Sequence, residues 1–432
     1  MAREGMERRE FLRSGAALIG PWFITSTALG APGVSPANER VTLGAIGVGG
    51  RGTGVLRGFL GLSQCLAICD VKPERRGPVK SMVERFYSAQ AARGTYKGCA
   101  AYNDFRDIIA RDDIDVVSIC TPDHWHAIPG IMAARAGKDI FVEKPFTLNV
   151  AEGRAFVTAV ETHGRVLQLG TQQRSDGRFR FACELARNRL IGEVHTIRVG
   201  SPASGACPPQ PPQPVPKGFD YDLWLGPAPR KPYTANRCRT PWWYFISDYT
   251  MGFISGWGIH HVDIAQWGNG TDQTGPVEIE GTGVFPKDGL CDTATSWRVV
   301  CTYANGVKMI FADNRQEKQG VVFEGTEGWV YVRRGFIDAR PRSLLSYKLG
   351  PSDIHLYRSP GHARNLIECV RTRQRTVCPP ETAHRSNSIC QLADIAIRLR
   401  RKLRWDPEKE QFIDDDEANR MLSRAMREPW HL

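Results

Sequence analysis

Val41-Thr42-Leu43-Gly44-Ala45-Ile46-Gly47-Val48-Gly49-Gly50-Arg51-Gly52 decides the fold. An apolar run with the length of a buried strand passes straight into G-x-G-x-x-G, with Gly47, Gly49 and Gly52 at the fixed positions and Gly50 and Arg51 between them. The three glycines have separate tasks. One makes the tight turn, one lets the backbone approach a pyrophosphate, and one lets the following helix pack on the strand. The pyrophosphate then rests on the free N–H groups of that helix N-terminus. A second buried-strand run, Leu66-Ala67-Ile68-Cys69, ends at Asp70, about 20 residues past the first glycine, where a carboxylate meets the ribose 2′-hydroxyl. The stretch predicts a bound dinucleotide. Asp70 repels a 2′-phosphate and so favours NAD, while Arg51 and Lys72 close by keep NADP open.

Outward from this stretch, strand and helix patterns alternate from Arg40 to Gln168. The predicted helices are Val55 onward, Pro78 to Ala92, Phe105 to Arg111, Ala127 to Ala136 with Gly137 as its C-cap, and Ala151 to His163. The predicted strands between them are 115–120, 139–142 and 166–170. Such β-α-β alternation argues an α/β domain with a doubly wound parallel sheet over residues 38–168. After Gly170 the period changes to two, in His195 to Val199 and in Ser296 to Tyr303. Ala304-Asn305-Gly306-Val307 then signals a hairpin into Lys308-Met309-Ile310-Phe311. A second, α+β domain with a large, mostly antiparallel sheet is expected over 169–405, followed by a charged tail over 406–432 that wraps the surface or a partner subunit. A Pro- and aromatic-rich insertion from Ser201 to Tyr249 carries Trp224, Trp242, Trp243 and Tyr244. Such rings suit sugar faces and equally suit rigid loop packing.

The N-terminus predicts export. Arg8-Arg9 precedes a short apolar segment broken by Gly20 and Pro21, which reads as a twin-arginine signal with its linker over residues 1–37. The segment is too short for a stable membrane anchor. That route carries folded proteins to the periplasm, so a cofactor can be loaded first and must then be held and recycled. Composition fits a folded enzyme of two domains: 432 residues, 41% hydrophobic and 24% charged. The net charge of +11 favours anionic surroundings. No nucleic-acid-binding module accompanies it, so the basic stretches near 371–375 and 398–404 read as solvated helix faces. The 12 cysteines form no C-x-x-C pair. Cys207 and Cys238 are the candidates for a bridge within one loop region.

Chemistry is expected at the carboxyl ends of the parallel strands. One loop there is Thr121-Pro122-Asp123-His124-Trp125-His126 and another is Glu143-Lys144-Pro145. A lysine works as acid or base near neutrality only when it is desolvated or set beside a cation, and oxidised nicotinamide is such a cation. The alternative for Lys144 is a surface ion pair with Glu143.

Gly47/Gly49/Gly52, Asp70, Thr121-Pro122-x-x-x-His126 and Glu143-Lys144-Pro145 together resemble the Gfo/Idh/MocA family of glucose–fructose oxidoreductases and inositol dehydrogenases, over nearly the whole chain after the signal. The resemblance implies an NAD(P)-dependent oxidoreductase acting on a sugar, polyol or glycoside hydroxyl. Lys144 would face that hydroxyl, and Thr121, Pro122, His124, His126 and Glu143 would lie with the fingerprint against the cofactor. The family's second-domain motif falls on Gly258-Ile259-His260-His261-Val262-Asp263. That makes His260 a candidate base and makes Tyr249, Trp257, His261 and Asp263 candidate substrate contacts, with Asp263 orienting His260. One position departs from the pattern. The family aspartate four residues before the histidine is Gly256, and Asp248, Tyr249 or His261 are the candidate replacements. Two further readings stay open: redox-neutral glycoside cleavage through a keto intermediate, and a catalytically silent sugar-binding protein that keeps NAD. The histidines and Asp263 are read as hydrogen-bonding groups and not as metal ligands. The resemblance also implies a homo-oligomer, a dimer or tetramer.

Overall fold

The structure, a computed structural model, describes residues 40–432; the predicted export segment lies outside the described residues. Two units are distinguished: residues 41–88 with 98–432, and, among those described, residue 40 with 89–97. The architecture below is that of the first.

Six parallel strands form the first sheet: β1 (Thr42–Ile46), β2 (Gln64–Cys69), β3 (Ala100–Tyr102), β4 (Val116–Ile119), β5 (Asp139–Val142) and β6 (Leu167–Leu169), in the order β3-β2-β1-β4-β5-β6. Every residue of β4 and β5 is buried, as expected of a parallel sheet covered on both faces. The covering helices are α1 (Gly50–Phe59), α2 (Pro73–Phe86), α3 (Ala127–Arg135) and α4 (Val150–Thr162). The strand order reverses between β1 and β4. Their carboxyl ends therefore diverge and open the crevice in which such sheets bind ligands. The expected helix over Pro78–Ala92 begins earlier, because Pro73 occupies its first turn, where the missing N–H costs nothing. It is broken at Tyr87, with Ser88–Ala92 forming a separate short helix.

The second sheet has nine strands: β7 (Val194–Ser201), β8 (Glu278–Val284), β9 (Ser296–Thr302), β10 (Lys308–Asp313), β11 (Gly320–Gly325), β12 (Trp329–Arg333), β13 (Phe336–Arg340), β14 (Leu403–Asp406) and β15 (Gln411–Phe412). Their order is β13-β12-β11-β7-β10-β9-β8-β14-β15. All pairs are antiparallel except β7 with β10. Along β9, buried Trp297, Val299 and Cys301 alternate with half-buried neighbours, the period of a sheet with one covered face. Helices α5 (Gly177–Arg187), α6 (Gly258–Asn269) and α8 (Pro380–Leu399) cover it; α7 (His362–Thr372) precedes α8 in the chain. Helix α6 lies unusually close to the sheet. A Cβ on Gly258 would meet the Phe311 ring at 2.4 Å, and one on Gly268 would meet Phe323 at 2.3 Å. Those glycines fix the depth of the helix that carries His260.

The C-terminal tail folds back on its own chain. Arg427 binds Asp222 and the Gly226 carbonyl. Trp430 packs edge-on against Trp125 with ring centroids 4.7 Å apart. No helix among the described residues is long and apolar enough to cross a membrane.

Candidate active site

The turn after β1 has the shape its glycines require. Gly47 has φ +81°, and a Cβ there would lie 2.7 Å from the Cys120 carbonyl oxygen. One on Gly52 would lie 1.9 Å from the Gly47 carbonyl oxygen. Gly50 meets open space, so sterics do not require it. The buried Asp70 carboxylate accepts from the main-chain N–H of Val48 at 3.1 Å and of Lys72 at 3.0 Å. A backbone cradle beside a fixed carboxylate fits the pyrophosphate and ribose of NAD. The basic neighbours differ from expectation. Arg51 turns away from Asp70 and pairs with Glu143 at 2.5 Å. Lys72 sends its ammonium to the Cys238 carbonyl at 3.1 Å. Arg75 is the cation beside Asp70, at 3.5 Å.

A cavity opens from this turn along the strand ends. Thr121, Pro122, Asp123, Glu143 and Lys144 line it from the first domain, and Trp224, Trp243 and Tyr244 line it from the insertion. Lys144 precedes a cis proline. Its ammonium donates to the main-chain carbonyl of Gly256 at 2.5 Å and lies 5.5 Å from the centre of the Tyr244 ring. The ion pair with Glu143 that sequence left open does not form, because Glu143 is taken by Arg51 and by the Gln172 amide at 3.0 Å. Burial, aided by the Arg51 and Arg334 charges, holds Lys144 below the ordinary lysine value although Glu143 and Asp123 oppose it. His260, in the first turn of α6, is 3% exposed, and its Nδ1 has no partner. Burial first, then the cations Lys144 and Arg334, push it well below the usual imidazole value. Both groups are therefore biased toward their proton-accepting forms.

Five predicted site residues lie elsewhere. His124 is buried against Trp224 and Tyr249 with Nε2 on the Trp224 carbonyl at 3.0 Å. His126 bridges the two loops behind the cavity, with Nδ1 on the Pro145 carbonyl at 2.6 Å and Nε2 on the Thr121 carbonyl at 3.0 Å. It positions Lys144 without facing the cofactor cleft. The buried Tyr249 hydroxyl accepts from Arg237 at 3.1 Å. His261 sits one helical step (about 100°) from His260 and meets the Gly200 carbonyl at 2.7 Å. Asp263 pairs with buried Arg174 at 2.7 Å and accepts from Ser386 at 2.8 Å, so it anchors α6 to α8 and does not orient His260. Each of His124, His126 and His261 has its own carbonyl partner, in a different direction. Of the candidate replacements for the family aspartate, Tyr249 and His261 are thus engaged elsewhere, and Asp248 lines a separate pocket with His124 and Arg424. Cys207 and Cys238 are both free thiols.

Two residues not singled out from sequence belong to the site. Asp123, 1% exposed, lines the cavity beside Lys144 with Oδ2 unpartnered; burial raises its pKa against the pull of His126 and Lys144. Its place in the loop after β4 was the available signal. Arg334 lies in the β12–β13 turn with its guanidinium 4.7 Å from the centre of the Trp257 ring. Nothing local in sequence connects it to Lys144.

The insertion is a strap across the cleft. Asn103 donates to Asp220 at 2.8 Å, and the Asp220 N–H donates to the Val71 carbonyl at 3.2 Å. With the Lys72–Cys238 contact, these bonds tie the strap to the edge of the first sheet where Asp70 stands.

Comparison with known proteins agrees with this geometry. The oxidoreductase family's NAD-binding Rossmann fold matches residues 43–171, and its C-terminal alpha/beta domain matches residues 207–432. The uncharacterized oxidoreductase YrbE of Bacillus subtilis is 28% identical over 234 residues, 52% of this chain and 57% of that protein. The chain therefore spans little more than half the length of that relative. A glycosyl hydrolase family 109 protein of Shewanella pealeana is 35% identical over 130 residues, 30% of this chain and 28% of the relative. A solved levoglucosan dehydrogenase, in complex with NADH and levoglucosan, has the same fold, with TM-score 0.61 and 17% identity over 84% of this chain and 99% of that one. With its glycine turn, Asp70 and second-domain sheet in place, the chain belongs to the Gfo/Idh/MocA family of NAD-binding oxidoreductases.

Proposed function

We propose that the protein oxidises a ring hydroxyl of a sugar or glycoside with NAD that stays bound between turnovers. The observation that carries this reading is Lys144. It is a half-buried amine lining the cofactor cavity, its hydrogen-bond partner is a neutral carbonyl, and it is biased toward the form that accepts a proton. NAD, when bound, supplies the hydride acceptor. Lys144 takes the hydroxyl proton as the carbinol carbon is oxidised, and the Gly256 carbonyl holds the amine in place. His260 is a second base on the opposite domain. The strap from Asp220 to Tyr244 excludes water and retains the cofactor, which suits an enzyme loaded before export by the Arg8-Arg9 signal. We also assign a dimer or tetramer, assembled through the outer face of the nine-stranded sheet.

The second reading is redox-neutral glycoside cleavage. Once a ring hydroxyl is oxidised to a ketone, the neighbouring C–H is acidified. His260 removes that proton, the glycosidic oxygen leaves as an alcohol with a proton, water adds to the enone, and return of the hydride reduces the ketone. The family 109 relative and the second unengaged base support it. The alternative of a silent binding protein is opposed by the presence of both bases.

The test is to denature protein purified without added cofactor, and to measure the absorbance and mass of the released nucleotide. Near-stoichiometric NAD supports retention, and glycosides are then screened for oxidation or cleavage. An empty protein that binds NAD weakly removes the captive-cofactor reading. K144M should lose at least about 100-fold in turnover and still bind NAD and sugar; full activity in K144M removes the mechanism.

A further inference from the structure

Arg334 has no ion-pair partner among the described residues; it stands in an exposed turn close enough to Lys144, His260 and Arg51 for its charge to act on them. The carboxylates near it are committed or covered. Glu143 is paired with Arg51, and Asp123 is 1% exposed. Arg51 is matched by Glu143 and Lys144 leans on a neutral carbonyl, so no carboxylate among the described residues is matched to Arg334. An arginine cannot shed its charge; burial and the Arg51 charge both act against it here. Its nearest packing partners, Trp257 and Gln173, stand on the second-domain side with His260.

Its orientation is defined. The guanidinium lies over the Trp257 indole at 4.7 Å, and that indole is 5.7 Å from the His260 ring. With the Gln173 amide turned to donate to the His260 carbonyl at 2.7 Å, its oxygen accepts from Arg334 Nε at 3.2 Å. Trp257 supports the guanidinium from one side and Gln173 uses Nε, which leaves the two Nη groups as an open fork. A planar fork of parallel N–H donors matches a carboxylate. A phosphate dianion would leave one negative charge unmatched by this single guanidinium.

We propose that Arg334 is a specificity residue that binds a substrate carboxylate, so that the sugar taken by this site is a uronic acid or uronide. This deepens the reading of a sugar-oxidising site and rests on it. The ring lies between the Arg334 fork and Lys144, with the carboxylate on the fork and a ring hydroxyl on the amine.

The test is equilibrium binding to the NAD-loaded full chain, read by calorimetry and therefore independent of turnover. The probes are methyl pyranosides of gluco, galacto and manno configuration, each with its matched methyl uronide and its 6-sulfate. At least one uronide is expected to bind about tenfold or more tightly than its neutral parent. R334Q should bring the pair within about twofold of each other without altering NAD content, and R334K should keep part of the preference. Arg334 lies in an exposed turn, so the variants should fold; unchanged melting confirms it. The inference is overturned if no uronide outbinds its parent, if the preference survives in R334Q, or if 6-sulfates bind as tightly as uronides. A uronide preference lost in R334Q but without any turnover would uphold this site and remove the oxidoreductase reading instead.

Discussion

Lys144 donates to the main-chain carbonyl of Gly256 at 2.5 Å, at the position where the family resemblance implies an aspartate. A carbonyl orients the amine as a carboxylate would, but it does not stabilise the ammonium by a full charge. Restoring the acid is sterically open. A Cβ on Gly256 would meet Tyr244 at 3.5 Å and Phe253 at 3.7 Å, which are ordinary contacts. An opposite charge at this range raises a lysine pKa by about one to three units. In G256D the acid limb of kcat/KM should therefore move at least about one unit to higher pH. The measurement is the pH–rate profile of both proteins on one substrate. An unmoved limb would show that Lys144 is not the base.

Asp123 acts on Lys144 with the same sign, since its charge favours the ammonium. In D123N that support is gone, and Lys144 gives up its proton more readily. The acid limb should shift to lower pH, opposite to G256D, and the D123N/G256D pair should fall between the single variants. Melting temperature should change little, because Oδ2 has no partner to lose. A large loss of stability without movement of the limb would make Asp123 a packing residue only.

Much of the first domain was legible because each of its signals is local. The glycine turn, Asp70 and Glu143-Lys144-Pro145 all act within a few residues of a strand end, and strand order then brings them together. The second domain was less legible. β13 and β15 are edge strands and β14 and β15 are short, while β8, β11 and β12 lie inside a sheet whose order brings together segments far apart in the chain. The histidines show the same limit. His124, His126, His260 and His261 were all read from sequence as hydrogen-bonding groups of the site, but helical rotation sends His261 to the sheet and His260 toward Trp257 and Lys144, and loop closure sends His124 and His126 to backbone carbonyls. Arg334 reaches the site only through a hairpin about 190 residues from Lys144 in the chain, which no local pattern encodes.

Two buried rings, His124 and His261, and the half-buried His362 predict acid sensitivity. Burial, their largest influence, pushes His124, His261 and His362 down to about 4 from the ordinary 6.5. Between these values the unfolded chain takes up protons that the folded chain refuses. The stability is complete above pH 6.5 and is lost as pH falls toward 4, by up to about 1.4 kcal/mol per pH unit for each ring. Urea midpoints at pH 7, 6 and 5 should fall progressively, and more gently in H124Q than in the parent. Midpoints that stay level would show that these rings find acceptors when protonated.

The proposed retention of NAD by the strap can be tested at the Asn103–Asp220 bond, away from Lys144. Asn103 donates to Asp220 Oδ2 at 2.8 Å, while Asp220 Oδ1 caps the short helix 221–225 through the Leu223 N–H at 3.0 Å. N103A removes the tie from the first-domain side and leaves the cap intact, so the strap keeps its own structure and loses an anchor. A hydrogen bond to a charged group contributes about 1.5–3 kcal/mol. If retention needs the closed strap, NAD should dissociate about tenfold or more faster from N103A, with Lys144 and its pH profile unaffected. Dialysis followed by nucleotide assay reads this directly. Equal retention in N103A and the parent would place the hold on NAD in the glycine turn and Asp70 alone.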